Sequence, residues 1–193
     1  TITEKQLRKI RGKDIAMIMQ QGTRAFDPST KVGKQMIETL RAHTTLSKQQ
    51  IKQELIHYMT YMKLEDPQSL LKAYPYMLSG GMLQRMMIAL ALALKPKLII
   101  ADEPTTALDT ITQYEVINAF KDIKHHFDCA MIFISHDLTV INKIADRVVV
   151  MREGRVIEEG RTNMVLQQPR HHYTAYLLST KKTIYDYFQF VLR

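Results

Sequence analysis

Hydrophobic and polar residues follow two different periods along this chain, and the change between them falls at Ser79. Between residues 28 and 78 the apolar positions recur every three or four residues, as Ile51, Leu55 and Met59 illustrate. That spacing places them on one face of a helix. After Ser79, short apolar runs alternate with helical patterns, which is typical of a parallel sheet covered by helices. The chain is therefore predicted to contain an all-helical segment followed by an α/β region.

Capping and turn residues locate the helices of the first segment. Residues 32–43 have a helical pattern, and Ser47 starts a second helix with Gln50 three residues later, as in a capping box. Asp66 precedes Pro67, and proline is tolerated at the first position of a helix because its missing N–H would have no partner there. We therefore expect three helices between residues 28 and 78, the third shorter than the others.

Short apolar runs bounded by turn residues predict four strands: Asp14–Gln20, Leu98–Ala101, Ala130–Ser135 and Arg147–Met151. The first is expected to be buried. The last three alternate with helices and are assigned to the parallel sheet. Glu153-Gly154 is a turn signal and predicts a hairpin that leads to Arg155–Glu159. The tail, residues 162–193, is predicted to be helical after Pro169.

The composition restricts the class of protein without identifying it. The longest unbroken apolar run, Met86–Leu94, is too short to span a bilayer, so a soluble chain is expected. The single cysteine, Cys129, excludes an internal disulfide and lies in an apolar run, which indicates a buried thiol. The net charge of +8 is compatible with a nucleic-acid or membrane surface, but the dispersed lysines favour an ordinary solvated surface. The first residue is Thr1 and no signal peptide is visible, as expected for a fragment or a processed chain.

Two adjacent acids follow the apolar strand Leu98–Ala101. Ligands of open α/β sheets bind outside the carboxyl ends of the strands. In a nucleotide hydrolase, the first acid at such a position, Asp102, would hold Mg²⁺, and the second, Glu103, would act as general base on the attacking water. A strand end followed by a helix-capping acid is the alternative that the residues alone leave open.

The stretch Ser79-Gly80-Gly81 opens a long helix that ends before Pro96. Ser79 is a good N-cap residue. The glycines allow backbone N–H groups to approach an anion closely, and the helix dipole favours negative charge at this end. An ordinary capped helix is the alternative, although two glycines in the first turn lower helix stability.

Polar residues also end two other predicted strands. His136 follows Ala130–Ser135, where it could bind a phosphate and orient a water, and a purely structural histidine is the alternative. Gln20 ends the first strand, and its amide could contact a metal-bound water. Three strands that end in Gln20, the acid pair and His136 would direct their polar groups to one place.

In combination, these motifs resemble the ATP-binding subunit of an ABC transporter. Leu78–Arg85 is similar to the family signature, Leu98–Glu103 to its Walker B strand, Ala107-Leu108-Asp109 to its D-loop, His136 to its switch histidine and Gln20 to its Q-loop glutamine. The order and spacing fit over about residues 10–165. QQGTRAFDPS and QQPRHHYTAYLL resemble the peptide and nickel permease branch, although His172 stands where that branch typically has proline.

The resemblance implies an α/β fold of the P-loop NTPase (ABC ATPase) type, with a parallel sheet, covering helices and an all-helical subdomain. Residues 1–26 would be a remnant of the ATPase core that ends in the Q-loop, and the N-terminal part of that core would be missing. Residues 27–78 would form the helical subdomain, residues 79–161 the rest of the core, and residues 162–193 a C-terminal helical extension.

The resemblance also implies ATP hydrolysis with Mg²⁺ that powers an importer of peptides, nickel or a nickel chelate. Gln20, Glu103 and His136 would act in catalysis, and Asp102 with Gln20 would serve the metal. The resemblance assigns the following residues to nucleotide binding between two ATPase subunits: Ser79, Gly80, Gly81 and Asp109. Expected partners are a second ATPase subunit, the same or different, membrane permease subunits and, indirectly, a solute-binding protein, with no nucleic acid. The chain would lie at the cytoplasmic face of the membrane as a peripheral subunit, docked through the surface around Gln20–Pro28 and the helical segment.

One family motif has no counterpart in these 193 residues. The phosphate loop, G-x-x-x-x-G-K-[ST], belongs upstream of Gln20, and neither Gly12-Lys13 nor Gly33-Lys34 has its spacing. Without that loop, the 193-residue chain alone is expected not to hydrolyse ATP at a meaningful rate. A non-catalytic, truncated interaction protein that docks on a permease or a partner ATPase is therefore the alternative.

Two further alternatives concern partners and metals. An ABC ATPase of DNA repair or of ribosomes would suit the positive charge, but the chain lacks a zinc-cysteine module. The pairs His125-His126 and His171-His172 are not predicted to bind a metal, because neighbouring residues on a helix point in different directions. Phe26 is expected either to anchor a docking partner or to pack inside its own subdomain.

Overall fold

The computed structural model describes residues 3–106 and 108–180, without the side chain of His125. The chain forms two compact units, Thr1–Ser135 and His136–Arg193. The first unit contains, in order, α1 (Glu4–Ile10), β1 (Ile15–Ile18), α2 (Gly22–Ala25), α3 (Val32–His43), α4 (Lys48–Tyr61), α5 (Pro67–Leu70), a 3-10 helix (Pro75–Met77), α6 (Gly80–Ala93), β2 (Leu98–Asp102), α7 (Thr110–His126) and β3 (Ala130–Ile134).

Residues 28–78, all of which the structure describes, contain helices and turns and no strand. The predicted starts of α4 and α5 are confirmed. Ser47 and Gln50 exchange the two hydrogen bonds of a capping box at the start of α4. Asp66 caps α5, with Pro67 at its first position. The boundaries of a separate helical subdomain at residues 27–78 stay a prediction.

A parallel sheet with the strand order β1-β2-β3 lies in the first unit. Alternate side chains of a strand point to opposite faces of the sheet, and among the described residues one face of this sheet is much more buried than the other. Ile18 and Ala101 face the core with no exposed surface, and Phe133 on the same face packs edge-on against Phe120 of α7. On the other face Met17 and Ile132 are at least half exposed. The prediction of a buried first strand therefore holds for only one of its faces.

The second unit contains α8 (Leu138–Ile144), β4 (Arg147–Arg152), β5 (Arg155–Arg161), α9 (Thr162–Gln167) and a helix over residues 172–180. The assignment of Arg147–Met151 to the parallel sheet is wrong, because β4 pairs antiparallel with β5 in a sheet of two strands. The hairpin turn at Glu153-Gly154 is confirmed. Both residues have positive φ, 52° and 74°, as a tight two-residue turn between twisted strands requires.

The rest of the chain-wide expectations concern the tail, the thiol and the membrane. Residues 172–180 are helical, as predicted for the region after Pro169, while residues 181–193 lie outside the described part. Cys129 is half-buried, and its burial raises the pKa of the thiol. In the described ranges, no helix has the length and apolar content needed to cross a bilayer.

Candidate functional site

The carboxyl ends of β1 and β2 lie side by side because the strands are parallel and paired up to Ile18 and Ala101. Asp102 is the last residue of β2, and Glu103 follows it directly. Gln20 comes two residues after β1 and is exposed. The structure therefore brings Gln20, Asp102 and Glu103 to one edge of the sheet, as the strand pattern predicts.

Glu103 is held in a conformation that non-glycine residues seldom adopt. Its φ is +45°, and its backbone N–H donates to the carbonyl oxygen of Ile134 at 3.0 Å. The Thr106 hydroxyl donates to the Glu103 carboxylate. A left-handed residue at a strand end is a strained element of the kind found at functional sites. Strain and hydrogen bonds together fix the position of the Glu103 carboxylate, a group that can accept a proton.

The donors at this edge fit Mg²⁺. Asp102 offers carboxylate oxygens and Gln20 an amide oxygen, and Mg²⁺ prefers oxygen ligands. Within residues 3–106 and 108–180, no group of three His, Cys, Asp or Glu side chains could hold a metal ion by itself. Mg²⁺ usually keeps several waters and takes one or two carboxylates together with phosphate oxygens, so a small protein donor set is compatible with this metal.

The predicted N-cap at Ser79 is confirmed. Its side-chain oxygen accepts the backbone N–H of Met82 at 3.2 Å, at the start of the 14-residue helix α6. The N–H groups of Gly80 and Gly81 belong to the first turn, where a helix offers no internal acceptor. The Ser79 hydroxyl proton stays available for donation, because the cap uses only the oxygen. This end of α6 can therefore donate several hydrogen bonds to an anion.

Gly80 and Gly81 differ in what their missing side chains leave room for. Within the described residues, a Cβ built on Gly80 would meet no atom of another part of the chain within 4 Å. A Cβ built on Gly81 would lie 2.8 Å from the methyl carbon Cγ2 of Thr112, on α7. Gly80 thus leaves open space beside the helix end, whereas Gly81 makes room for a neighbouring helix.

Asp109 is the N-cap of α7. Its carboxylate accepts the backbone N–H groups of Ile111 and Thr112 and the Thr112 hydroxyl, the last at 2.7 Å. The hydrogen bonds from Thr112 hold the pKa of Asp109 below its usual value of 3.8, since they stabilise the charged carboxylate. Leu108 lies within the described part of the predicted D-loop, and Ala107 lies outside it.

Gln84 is a residue of this site that the motif analysis did not single out. Its side chain is 1% exposed, and its amide nitrogen donates to the carbonyl oxygen of Met19 at 3.1 Å. A Cβ built on Gly22 would lie 2.5 Å from the Gln84 backbone nitrogen. The chain on both sides of Gln20 is therefore packed against α6. A polar residue among the apolar residues Leu83, Met86 and Met87 was the available sequence signal.

Arg85, the next residue of α6, is directed to α7 instead. Its guanidinium donates to the Glu115 carboxylate at 3.1 Å, in a partly buried ion pair, and to the Lys63 carbonyl oxygen at 3.4 Å. One turn of α6 separates Arg85 from Gly81, and three residues of α7 separate Glu115 from Thr112. The first two turns of α6 thus contact α7 at two successive places.

His136 belongs to the second unit, two residues after the end of β3. Its role as the switch histidine stays a prediction. The rings of His171 and His172 lie 4.3 Å apart, but among the described residues they form no metal-binding group of three. His126 is occupied differently, since its Nδ1 lies 2.9 Å from the Asp122 carbonyl oxygen.

Phe26 is 6% exposed, so it packs inside the first unit and cannot anchor a partner from its surface. Hydrogen bonds of one side chain hold the loop beside Phe26. The Gln35 side chain accepts the Asp27 N–H at 2.8 Å and donates to the carbonyl oxygens of Asp27 and Thr30. Arg24 and Lys31 remain exposed beside this loop.

Residues 1–106 match the family model described as ABC transporter. All 193 residues are 72% identical to the metal-staphylopine import system ATP-binding protein CntD of Staphylococcus aureus and cover 71% of that protein. The chain is 41% identical to the oligopeptide transport ATP-binding protein OppD of Bacillus subtilis over 95% of its own length. It spans about half, 51%, of that relative.

The fold has counterparts among solved structures of ATP-binding cassettes. One is a dimeric, post-hydrolysis state of the cassette MJ0796 bound to ADP and Pi. The match to it covers 83% of this chain and 68% of that chain, with a TM-score of 0.74 and 26% identity. A dimeric structure described as MJ0796, a bacterial ABC transporter cassette, gives a TM-score of 0.73 at 25% identity. Both of these solved structures are dimers.

Proposed function

The chain belongs to the ABC transporter family, and we propose that it supplies ATP hydrolysis to an importer of metal chelates or peptides. The proposal concerns the protein in which these residues act together with a phosphate loop. The observation that carries it is the 72% identity over all 193 residues to an ATP-binding protein of a metal-staphylopine import system. Identity to the oligopeptide relative is lower, at 41%, which favours a metal chelate over a peptide.

The end of β2 is the proposed catalytic end of the chain's own ATP site. Glu103 acts as general base: its carboxylate accepts a proton from the water that attacks the γ-phosphate. The hydrogen bond from Thr106 and the bond from the Glu103 N–H to Ile134 hold that carboxylate in place. Asp102 and Gln20 would hold Mg²⁺, which would neutralise charge on the phosphates. His136 is proposed to contact the γ-phosphate.

The start of α6 is proposed to act on a nucleotide held by a second subunit. Gly80 and Gly81 offer backbone N–H groups, and Ser79 offers its hydroxyl proton, to the γ-phosphate of the partner's ATP. The open space beside Gly80 supports this role, because a phosphate must come within hydrogen-bond distance of the backbone. Asp109 would lie at the same interface between the two subunits.

A transport assay tests the proposed substrate class. The residues, joined behind a phosphate-loop segment, are combined in separate vesicles with permease subunits of the metal-chelate system or of the oligopeptide system. We expect ATP-dependent uptake of labelled metal–staphylopine in the first vesicles and no ATP-dependent uptake of labelled oligopeptide in the second. Uptake of oligopeptide alone would assign the chain to peptide import, and uptake of neither with intact ATP hydrolysis would contradict the importer proposal.

The proposed membrane docking surface lies around Gln20–Pro28 and the helical segment, and it would place the chain as a peripheral subunit at the cytoplasmic face. With Phe26 buried, the exposed residues of this loop are the ones that can reach a partner. Single cysteines at Arg24 and Lys31, in a variant with Cys129→Ser, are expected to cross-link to a cytoplasmic loop of a permease subunit. Cross-links confined to soluble proteins or to the chain itself would remove this surface from the proposal.

A non-catalytic interaction protein that docks on a permease or a partner ATPase is the second candidate. Both candidates predict that the purified 193-residue chain does not hydrolyse ATP. They differ once a phosphate-loop segment precedes residue 1: the importer ATPase gains activity that depends on Glu103, whereas the interaction protein stays inactive. Steady hydrolysis by the 193-residue chain, abolished by Glu103→Gln, would contradict both.

A further inference from the structure

Thr112 contacts two residues of the proposed site with two different groups of one side chain. Its hydroxyl donates to Asp109 Oδ2 at 2.7 Å. Its methyl carbon faces Gly81, where a built Cβ would lie 2.8 Å away. Asp109 and Gly81 come from separate motifs, and Thr112 belongs to neither. A single side chain therefore fills the space between the signature segment and the residue that caps α7.

The hydroxyl and the methyl of threonine are carried by the same carbon, so one torsion angle, χ1, sets both positions. A push on the methyl that rotates χ1 must also move the hydroxyl away from the Asp109 carboxylate. The ion pair between Arg85 and Glu115 holds the same two helices together further along. Movement of the first turn of α6 against α7 is therefore directed onto Thr112.

We propose that Thr112 is a positioning residue that couples the signature segment to Asp109. A phosphate bound at Ser79–Gly81 displaces the first turn of α6, the Thr112 methyl follows, and the hydrogen bond to Asp109 changes with it. The coupling rests on the proposed function, because that function gives Ser79–Gly81 a nucleotide to bind. Thr112 itself touches no nucleotide and acts through Gly81 and Asp109.

Two conservative substitutions of Thr112 separate the two contacts. Thr112→Ser keeps the hydroxyl and removes the methyl, whereas Thr112→Val keeps a methyl and removes the hydroxyl. In the 193-residue chain, carbon NMR reports the pKa of the Asp109 carboxyl, and hydrogen exchange reports the Met82 amide, which donates to the Ser79 side-chain oxygen. We expect Thr112→Val to raise the Asp109 pKa and leave the exchange of the Met82 amide unchanged. We expect Thr112→Ser to leave that pKa low and to speed exchange of the Met82 amide by about fivefold. Equal responses in both variants, or none in either, would overturn the proposal.

Gly81→Ala tests transmission from one motif to the other. The added methyl is expected to displace Thr112 and raise the Asp109 pKa, although Asp109 and Thr112 are unchanged. Thr112→Ser in the same chain makes room and is expected to restore the low pKa. Gly80→Ala is the matched control, since its Cβ has open space. An unchanged Asp109 in Gly81→Ala, or an equal change in Gly80→Ala, contradicts the coupling. If Gly81→Ala does not fold, the opposite responses expected of Thr112→Ser and Thr112→Val test the coupling.

An experiment with ATP distinguishes failure of the coupling from failure of the proposed function on which it rests. In a chain that carries these residues behind a phosphate loop, ATP is expected to shift the Asp109 carboxyl signal, and Thr112→Ser is expected to remove that shift. No ATP response in the unsubstituted chain would contradict the proposed nucleotide role of the signature segment. An ATP response that persists undiminished in Thr112→Ser would contradict the coupling alone.

Discussion

The end of β2 and the start of α6 are both proposed to act on a phosphate, but they are built in different ways. At the end of β2 the groups are the side chains of Asp102 and Glu103, positioned by strand pairing and by a strained backbone at φ +45°. At the start of α6 they are backbone N–H groups of the first helical turn, beside the open space that Gly80 leaves. The first region depends on the chemistry of its side chains. The second depends on glycines, whose lack of a Cβ leaves space for another group.

The largest expected effect comes from a substitution among the side chains at the end of β2. Glu103→Gln, in a chain with a phosphate loop, removes the general base while its amide oxygen can still accept the Thr106 hydroxyl. We expect the rate of ATP hydrolysis to fall by about 10²–10⁴ with ATP binding retained. Steady-state ATPase assays and nucleotide titration check this. Glu65→Gln, at an exposed position of the helical segment, is the matched control, and a loss below tenfold in Glu103→Gln would remove Glu103 as the base.

The second prediction compares the two glycines at the start of α6. Gly81→Ala introduces a methyl 2.8 Å from the Thr112 methyl carbon and is expected to lower the free energy of unfolding by about 1–3 kcal/mol. Gly80→Ala has open space and is expected to be neutral or stabilising by up to ~1 kcal/mol, since alanine restricts the unfolded chain. Urea unfolding of the two variants measures the difference. Equal stabilities would mean that the Gly81 contact is relieved without cost.

The third prediction tests the cap that precedes these glycines. Ser79→Ala removes the acceptor for the Met82 N–H and is expected to cost about 1 kcal/mol of stability. Ser79→Asp keeps an acceptor and should retain the stability, but its negative charge should repel a phosphate. Unfolding and ATPase assays on both variants therefore separate capping from phosphate binding. A Ser79→Asp chain with full activity would leave Ser79 only its structural role.

The smallest expected effect concerns pH at the start of α7. The pKa of Asp109 is below its usual value of 3.8 because hydrogen bonds favour the charged form in the folded state. The resulting stabilisation is present above the unfolded-state pKa and is lost as pH falls through the folded-state pKa. We expect the stability difference between the unsubstituted chain and Asp109→Asn to be constant above about pH 5 and to shrink below pH 4. A difference that does not vary with pH would contradict the assigned shift.

Local sequence signals predicted much of the fold and part of the site. The capping residues Ser47, Asp66 and Ser79 marked helix starts, because a cap acts on N–H groups only a few residues away. The acids at 102 and 103 marked the end of β2, because the apolar run of the strand stops there. The partner of β4 was predicted wrongly, because an apolar run specifies a strand and not the strand beside it. The hairpin turn at Glu153-Gly154 was the better guide, since it forces antiparallel pairing.

The sequence by itself determined where the helices of residues 28–78 begin and which groups stand at the end of β2. It also determined that two glycines follow Ser79. Only the tertiary structure decided that Gly81 makes room for Thr112 while Gly80 faces open space, and that Gln84 holds the carbonyl of Met19. Capping and turn preferences act between neighbours and can be read along the chain. Contacts between residues 31 or 65 positions apart exist only after packing has set the distance between helices and strands.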